Sequence, residues 1–236
     1  MPSEPALDPA GRGARAELIA LAAGGESWSA PLRDLPAAAS ARPAAVLILF
    51  GVLDAVPSAH DAQDAAVSRE LDVLLLERAT TLRAHPGQVA FPGGRLDPGD
   101  AGPIAAALRE AEEETGLNPA GVEVLGALSP VPLEFSGHLV TPVLGWWRHP
   151  SPVRVVDDAE SAAVFRAPVA DLLDRRNRGV TVLERDGHVL RGPAFEVQGH
   201  LVWGFTAMVL DALFDRLGWT EPWDDGERTR RIPLPR

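Results

Sequence analysis

The segment GRLDPGDAGPIAAALREAEEETGL (Gly94–Leu117) decides the reading of this chain. Pro103 to Thr115 is predicted to be a helix, opened by Pro103 and stopped by Gly116 at the C′ position. At about 100° per residue, with Glu110 at zero, Glu113 falls at roughly 300° and Glu114 at roughly 40°. The three carboxylates therefore share one face. Ile104, Leu108, Ala111 and Thr115 cluster at roughly 100–160°, an expected separate stripe for packing on a sheet. Glu112 points elsewhere, with Arg109 at i−3 as its expected partner. Like charges at i,i+4 cost about 0.2–0.5 kcal/mol. Carboxylates in the last turns face the negative end of the helix dipole, at about 0.3–1 kcal/mol each. A divalent cation reverses both signs, and a tight set of oxygen ligands suits Mg²⁺ or Mn²⁺. The other reading is a solvated acidic helix face. The adjoining Gly93-Gly94 and the separate apolar stripe favour the cation.

Directly upstream runs LLLERATTLRAHPGQVAFPGG (Leu74–Gly94). Asp72–Leu76 and Val89–Phe91 are predicted strands, the second leading into Pro92-Gly93-Gly94. Val46–Phe50 is another buried strand, and the Ala/Asp-rich stretch Val56–Glu70 a surface loop. Downstream, Val122–Leu128 and Leu139–Trp146 read as strands, with Val153–Val156 and Val164–Phe165 as two more candidates. Pro168–Arg175 reads as a helix. Val180–Glu184 and His188–Arg191 flank Asp186-Gly187, a hairpin signal. Ala194–Val197 reads as a strand and Trp203–Leu217 as a helix. Strands with few helices between them predict an α/β chain whose mixed sheet is covered by helices. Residues 12–23 form an expected N-terminal helix, followed by a linker from Pro36 to Pro43. The expected division is 1–41 for this helix and linker, 42–220 for the main domain and 221–236 for a charged tail.

The helix segment resembles the Nudix box, which ends in Arg-Glu-hydrophobic-any-Glu-Glu-any-Gly-hydrophobic. Arg109, Glu110, Glu113, Glu114, Gly116 and Leu117 match, and Ala111 fills the hydrophobic slot. Asp100 stands where the pattern has its first Glu, and eight residues rather than seven separate it from Arg109. The upstream segment is similar to the signature of the coenzyme A pyrophosphatase branch of Nudix enzymes, with Leu76 in a Thr slot. Trp203-Gly204-Phe205-Thr206-Ala207 is similar to that branch's C-terminal segment. The resemblance covers roughly Ala45 to Leu213 and implies a Nudix-type α/β/α sandwich with a mixed β-sheet.

It also implies hydrolysis of a diphosphate linked to another moiety. For coenzyme A or its derivatives, the products are 3′,5′-ADP and 4′-phosphopantetheine or its acyl form. The implied metal ligands for Mg²⁺ or Mn²⁺ are Glu110, Glu113, Glu114 and the Gly94 carbonyl. Arg78 and Arg83 are candidates for phosphate contacts, including the 3′-phosphate, because guanidinium binds phosphate bidentately. Gly93 permits close backbone approach to substrate. Arg109 either touches substrate or pairs with a neighbouring Glu. Glu160 is the expected general base and Glu134 its rival; His85 is a structural hydrogen-bonder or a base. Trp146, Trp147, Phe195 and Trp203 are expected in the core or an interface. Another Nudix substrate, such as ADP-ribose or a dinucleotide, and a non-catalytic nucleotide-binding module stand as alternatives.

Composition narrows the field. All 22 basic residues are arginine, and cysteine and tyrosine are absent. Disulfides, thiolate catalysis, Cys-ligated metals and lysine Schiff bases are excluded. A net charge of −11 argues against general nucleic-acid or anionic-membrane binding. Pro43–Leu53 is the longest apolar stretch and is too short to span a bilayer. The expectation is a cytoplasmic protein with a small-molecule substrate. Homodimers are usual among such enzymes, but no residue here demonstrates one.

Overall fold

A computed structural model describes residues 9–24, 28, 32, 35, 40–52, 57–82, 85–133, 136–185, 188–224 and 229–231. In chain order, α1 (Pro9–Ala23) is followed by β1 (Arg42–Val52), β2 (Leu71–Arg78), β3 (Val89–Ala90) and β4 (Gly93–Arg95). Then come α2 (Pro103–Thr115), β5 (Val122–Ala127), β6 (Val131–Leu133), β7 (His138–Trp147) and β8 (Ser161–Pro168). The last third holds α3 (Val169–Leu173), β9 (Arg178–Arg185), β10 (His188–Val197), β11 (His200–Val202), α4 (Gly204–Leu217) and β12 (Thr229–Arg231).

The first eight strands form one mixed sheet. At its centre β1 lies parallel to β7, from Arg42 opposite His138 to Phe50 opposite Trp146. Both faces of β1 are covered, so Ala44–Phe50 is buried almost without alternation. Elsewhere β1 pairs antiparallel with β2 and β4. β2 in turn pairs antiparallel with β3 and β8. One face packs Ala45, Leu47, Leu49, Leu74, Val143 and Trp147 against Ala106, Ala107 and Ala111 of α2. The other packs Ile48, Phe50, Val73, Leu75, Leu144 and Trp146 with Leu18 of α1 and the apolar side of α4. The result is an α/β/α sandwich around a mixed sheet. β9–β12 form a second, four-stranded sheet in the order β11-β10-β9-β12, against which α4 also packs.

The predicted elements recur with changes. Val153–Val156 is not a strand; it is irregular chain, tied at Arg154, whose amide donates to Thr115 O at 2.9 Å. Val164–Phe165 lies inside the longer β8. β9 and β10 pair antiparallel as expected, while Asp186-Gly187 lies outside the described residues. β4, β6, β11 and β12 have three residues each, too few to carry a period. β4 contains two glycines, which disfavour strands, and exists because β1 supplies its partner. Leu47 N–H donates to Pro92 O at 2.8 Å and Leu96 N–H to Pro43 O at 3.2 Å. The central strand therefore fixes the glycine turn. No helix among the described residues is long and apolar enough to cross a membrane.

Candidate active site

The site forms where α2 crosses β4. α2 begins at Pro103 and ends at Gly116, whose φ of 69° is the left-handed conformation glycine adopts without a Cβ penalty. Its buried residues are Ala106, Ala107, Ala111 and Thr115. These span an arc from roughly 320° through zero to roughly 140°. The sequence expectation of a separate stripe is thereby corrected: Ile104 is 38% exposed, and Glu114 sits in the middle of the buried arc. Small alanines make this arrangement workable, since they bring the helix axis close to the sheet and leave volume for the carboxylates.

Glu114 Oε2 accepts the Gly93 amide at 2.9 Å. Burial is the first cause that pushes its pKa up, to about 7; Glu110 and Glu160 add to the shift, while the Gly93 amide and Arg78 oppose it. Glu110 is also raised, by burial first and against the pull of Arg109. Its carboxyl occupies the space a side chain on Gly94 would take: a Cβ there would lie 2.5 Å from Glu110 Cδ. A Cβ on Gly93 would overlap the Ala45 carbonyl. Both glycines are therefore demanded by close approach.

Arg109 is the hub on the outer side. Its Nε donates to Asp100 Oδ1 at 3.1 Å and Nη2 to Asp100 Oδ2 at 3.0 Å. Nη2 also reaches Arg95 O at 3.1 Å, and Nη1 meets Glu113 Oε2 at 2.9 Å and Glu110 Oε1 at 3.1 Å. Two expectations change here. Arg109 does not pair with Glu112; the neighbouring Glu side chains it meets are Glu113 and Glu110, and its donors are engaged within the fold. Asp100, whose role the sequence left in doubt, clamps Arg109 bidentately. Arg109, then the Asp97 amide, holds the Asp100 carboxyl below its ordinary range.

The structure brings Glu110 and Glu114 together but not Glu113. That side chain lies at the rim of the buried arc, is 58% exposed and is taken by Arg109 at i−4. Among the described residues, no three acidic or histidine side chains converge at metal-ligating spacing. The expected trio is thus present on the helix but not gathered into a cage. Glu160 ends the turn before β8, with its carbonyl accepting the Ala79 amide at 2.9 Å, and its charge reaches Glu114. Arg78, at the end of β2, also acts on Glu114, and its Nε is buried without a hydrogen-bond partner among the described residues. Gly94 lies in β4 directly against Glu110. Arg83 and Glu134 lie outside the described residues. His85 has a left-handed φ of 56°. Trp146, Trp147 and Phe195 are in the core, and Trp203 is half-buried.

A half-buried pair of carboxyls whose charged forms burial disfavours, with oxygen-only donors, fits a hard divalent cation. Residues 59–184 match the NUDIX domain family. The chain belongs to the Nudix family. The uncharacterized Nudix hydrolase NudL of Cronobacter sakazakii (strain ATCC BAA-894) is 43% identical over 149 residues, 63% of this chain and 77% of the relative. NudL of Escherichia coli (strain K12) is 42% identical over 146 residues, 62% of this chain and 75% of that protein. Among solved structures, a Nudix hydrolase from Alicyclobacillus acidocaldarius shares 21% identity, covering 73% of this chain and 90% of that one, with a TM-score of 0.44. This Nudix chain keeps the acidic box ending intact and departs at Asp100, where the Arg109 clamp accommodates the longer spacer.

Proposed function

We propose that this Nudix hydrolase cleaves the diphosphate bond of coenzyme A or its derivatives to 3′,5′-ADP and 4′-phosphopantetheine or its acyl form. The observation that carries this reading is Arg78. It comes from the upstream signature, and β2 delivers it beside Glu114 with a buried Nε that has no partner among the described residues. A phosphate oxygen is the acceptor such a guanidinium lacks.

The proposed holders of Mg²⁺ or Mn²⁺ are Glu110, Glu113, Glu114 and the Gly94 carbonyl. When bound, such an ion lowers the pKa of water and neutralises diphosphate oxygens. Arg109 holds Glu113 and the turn through Asp100 and Arg95 O, which keeps Gly93-Gly94 in place. Glu160, on its short turn, is the proposed acceptor of the proton that water loses as its oxygen joins phosphorus and the bridging P–O bond breaks. We place the reaction in the cytoplasm.

The test is a metal-dependent assay on coenzyme A with mass detection of both fragments, run beside ADP-ribose and NADH. Faster release of 3′,5′-ADP than cleavage of the other two is expected. Equal or better turnover of those two overturns the coenzyme A assignment. Glu114→Gln, which keeps an oxygen for the Gly93 amide, is expected to lose turnover by at least about 100-fold while staying folded. Unchanged turnover would remove the metal assignment, whereas no turnover of any of the three substrates by the wild type would revive the nucleotide-binding module.

A further inference from the structure

The face of the sheet opposite α2 carries a group of basic side chains that the proposed cleavage does not use. Strand register places Arg42 of β1 beside His138 of β7, and Arg95 of β4 beside Ala44, two residues along β1. Period-two alternation puts Arg42, Ala44, His138 and Arg95 on one face. Their face is opposite to Ala45 and Leu47, which pack under α2. Arg42 and Arg95 are exposed and His138 is half-buried. His85 joins them from the turn after β2. Burial, then the charges of Arg95, Arg42 and His85, pushes the His138 imidazole below its ordinary pKa, so the other three groups lie within electrostatic reach of it. None of the four side chains meets a carboxylate among the described residues.

Such a group runs against the molecule's charge. With 33 acidic side chains against 22 basic ones, a cation on this surface finds an anion readily. Arg42 and Arg95, which meet no carboxylate among the described residues, repel each other, and an anionic ligand reverses the sign. The position narrows the ligand. Arg95 follows Gly94, and successive residues of a strand face opposite sides. The cations therefore lie across β4 from the Glu110 carboxyl, one residue from the glycine turn. An anion held there belongs to the molecule whose diphosphate sits at that turn.

We infer that Arg42, His85, Arg95 and His138 form a subsite for a phosphate monoester of the substrate, distinct from the diphosphate that is cleaved. The subsite deepens the proposed function and rests on it for the identity of the ligand, in which the monoester is the 3′-phosphate of coenzyme A. It reassigns that phosphate from Arg78 and Arg83 to this cluster and leaves Arg78 to the diphosphate.

Titration calorimetry tests it independently of turnover, comparing adenosine 3′,5′-bisphosphate with AMP. The wild-type protein is expected to bind the bisphosphate at least about tenfold more tightly, the strength of one charge-assisted contact. Arg42→Gln and Arg95→Gln should each erase most of that preference and leave AMP affinity unchanged, while Arg95→Lys keeps part of it. Equal affinity for the two ligands, or a preference that survives both Gln substitutions, overturns the subsite. Assays on coenzyme A and dephospho-coenzyme A then separate the two claims. No turnover of either substrate sinks the proposed reaction but not a measured bisphosphate preference. Turnover of both at the same KM sinks the subsite but not the reaction.

Discussion

Asp72 shows how an ionisable side chain away from the site shapes this protein. It lies in β2 at the end remote from Arg78, is 5% exposed, and its Oδ1 has no hydrogen-bond partner among the described residues. Burial pushes its pKa up to about 7, against the pull of Arg166 and with help from Asp171 and Glu70. Below about pH 4 the carboxyl is protonated in both folded and unfolded chains, so it makes no difference to stability. Between about pH 4 and 7 only the unfolded chain releases the proton freely, and the cost to the fold grows until it is complete above about 7. From pH 4 to pH 8, denaturant titrations should shift in favour of Asp72→Asn over wild type, by on the order of 3 kcal/mol. A pH-independent difference would show that Asp72 is ordinary. Gly94→Ala makes a second residue-scale prediction. The added Cβ displaces a flexible carboxyl rather than backbone, so the fold should survive while turnover falls about 100-fold, readable by pairing a melting curve with the product assay. The sequence made both ends of this site legible, since six fixed positions mark the helix and the glycines mark the turn. It did not reveal that Glu113 is drawn away by Arg109, because angular position on a helix does not say which neighbour wins a side chain.

At the scale of elements, the segment after α4 is the least expected part. Residues 219–224 run in extended chain from the end of the expected main domain into the stretch, from 221 on, that the sequence assigned to a charged tail. Trp219 is 1% and Glu221 5% exposed, while Pro222 and Asp224 face solvent. Trp219 lies edge-on to Phe50 and near Phe214, and its Nε1 donates to Glu17 at 2.6 Å. Glu221 accepts from the Gln63 amide at 3.0 Å and pairs with His60 Nε2 at 2.9 Å. The Trp223 ring lies 4.9 Å from the guanidinium of Arg178, which is buried and paired with Asp211. Alternate side chains thus fasten α1, the loop before β2 and the second sheet. In urea titrations, Trp219→Ala should cost about 3–5 kcal/mol through the cavity it leaves. Glu221→Ala should cost about 1–3 kcal/mol, because buried donors lose their acceptor. Values near zero for both would mean that the segment merely rests on the surface. Pattern reading missed it because three anchoring contacts, each more than 40 residues from its partner in most cases, leave no local period. The long strands and α2 were legible because their periods, turns and caps are local.

For the molecule as a whole, the carboxyls crowded along α2, three of them served by one arginine and one amide, predict a stability that depends on metal. An ion bound only by the folded chain at 100 times its Kd adds about 2.7 kcal/mol. Mg²⁺ or Mn²⁺ should therefore raise the melting temperature of the wild type and leave Glu114→Gln nearly unmoved; equal shifts in both proteins would place the ion elsewhere. The sandwich was legible from its box, its strands and its family resemblance, whereas the second sheet's packing on α4 was not, since it follows from long-range contacts. One such contact reaches furthest: the Trp219 indole meets Glu17 across 202 positions of sequence. During synthesis, the first helix emerges from the ribosome long before its partner exists. α1 can settle on β5 and β7 first, and the indole that locks it from the far side arrives only once residue 219 has been made.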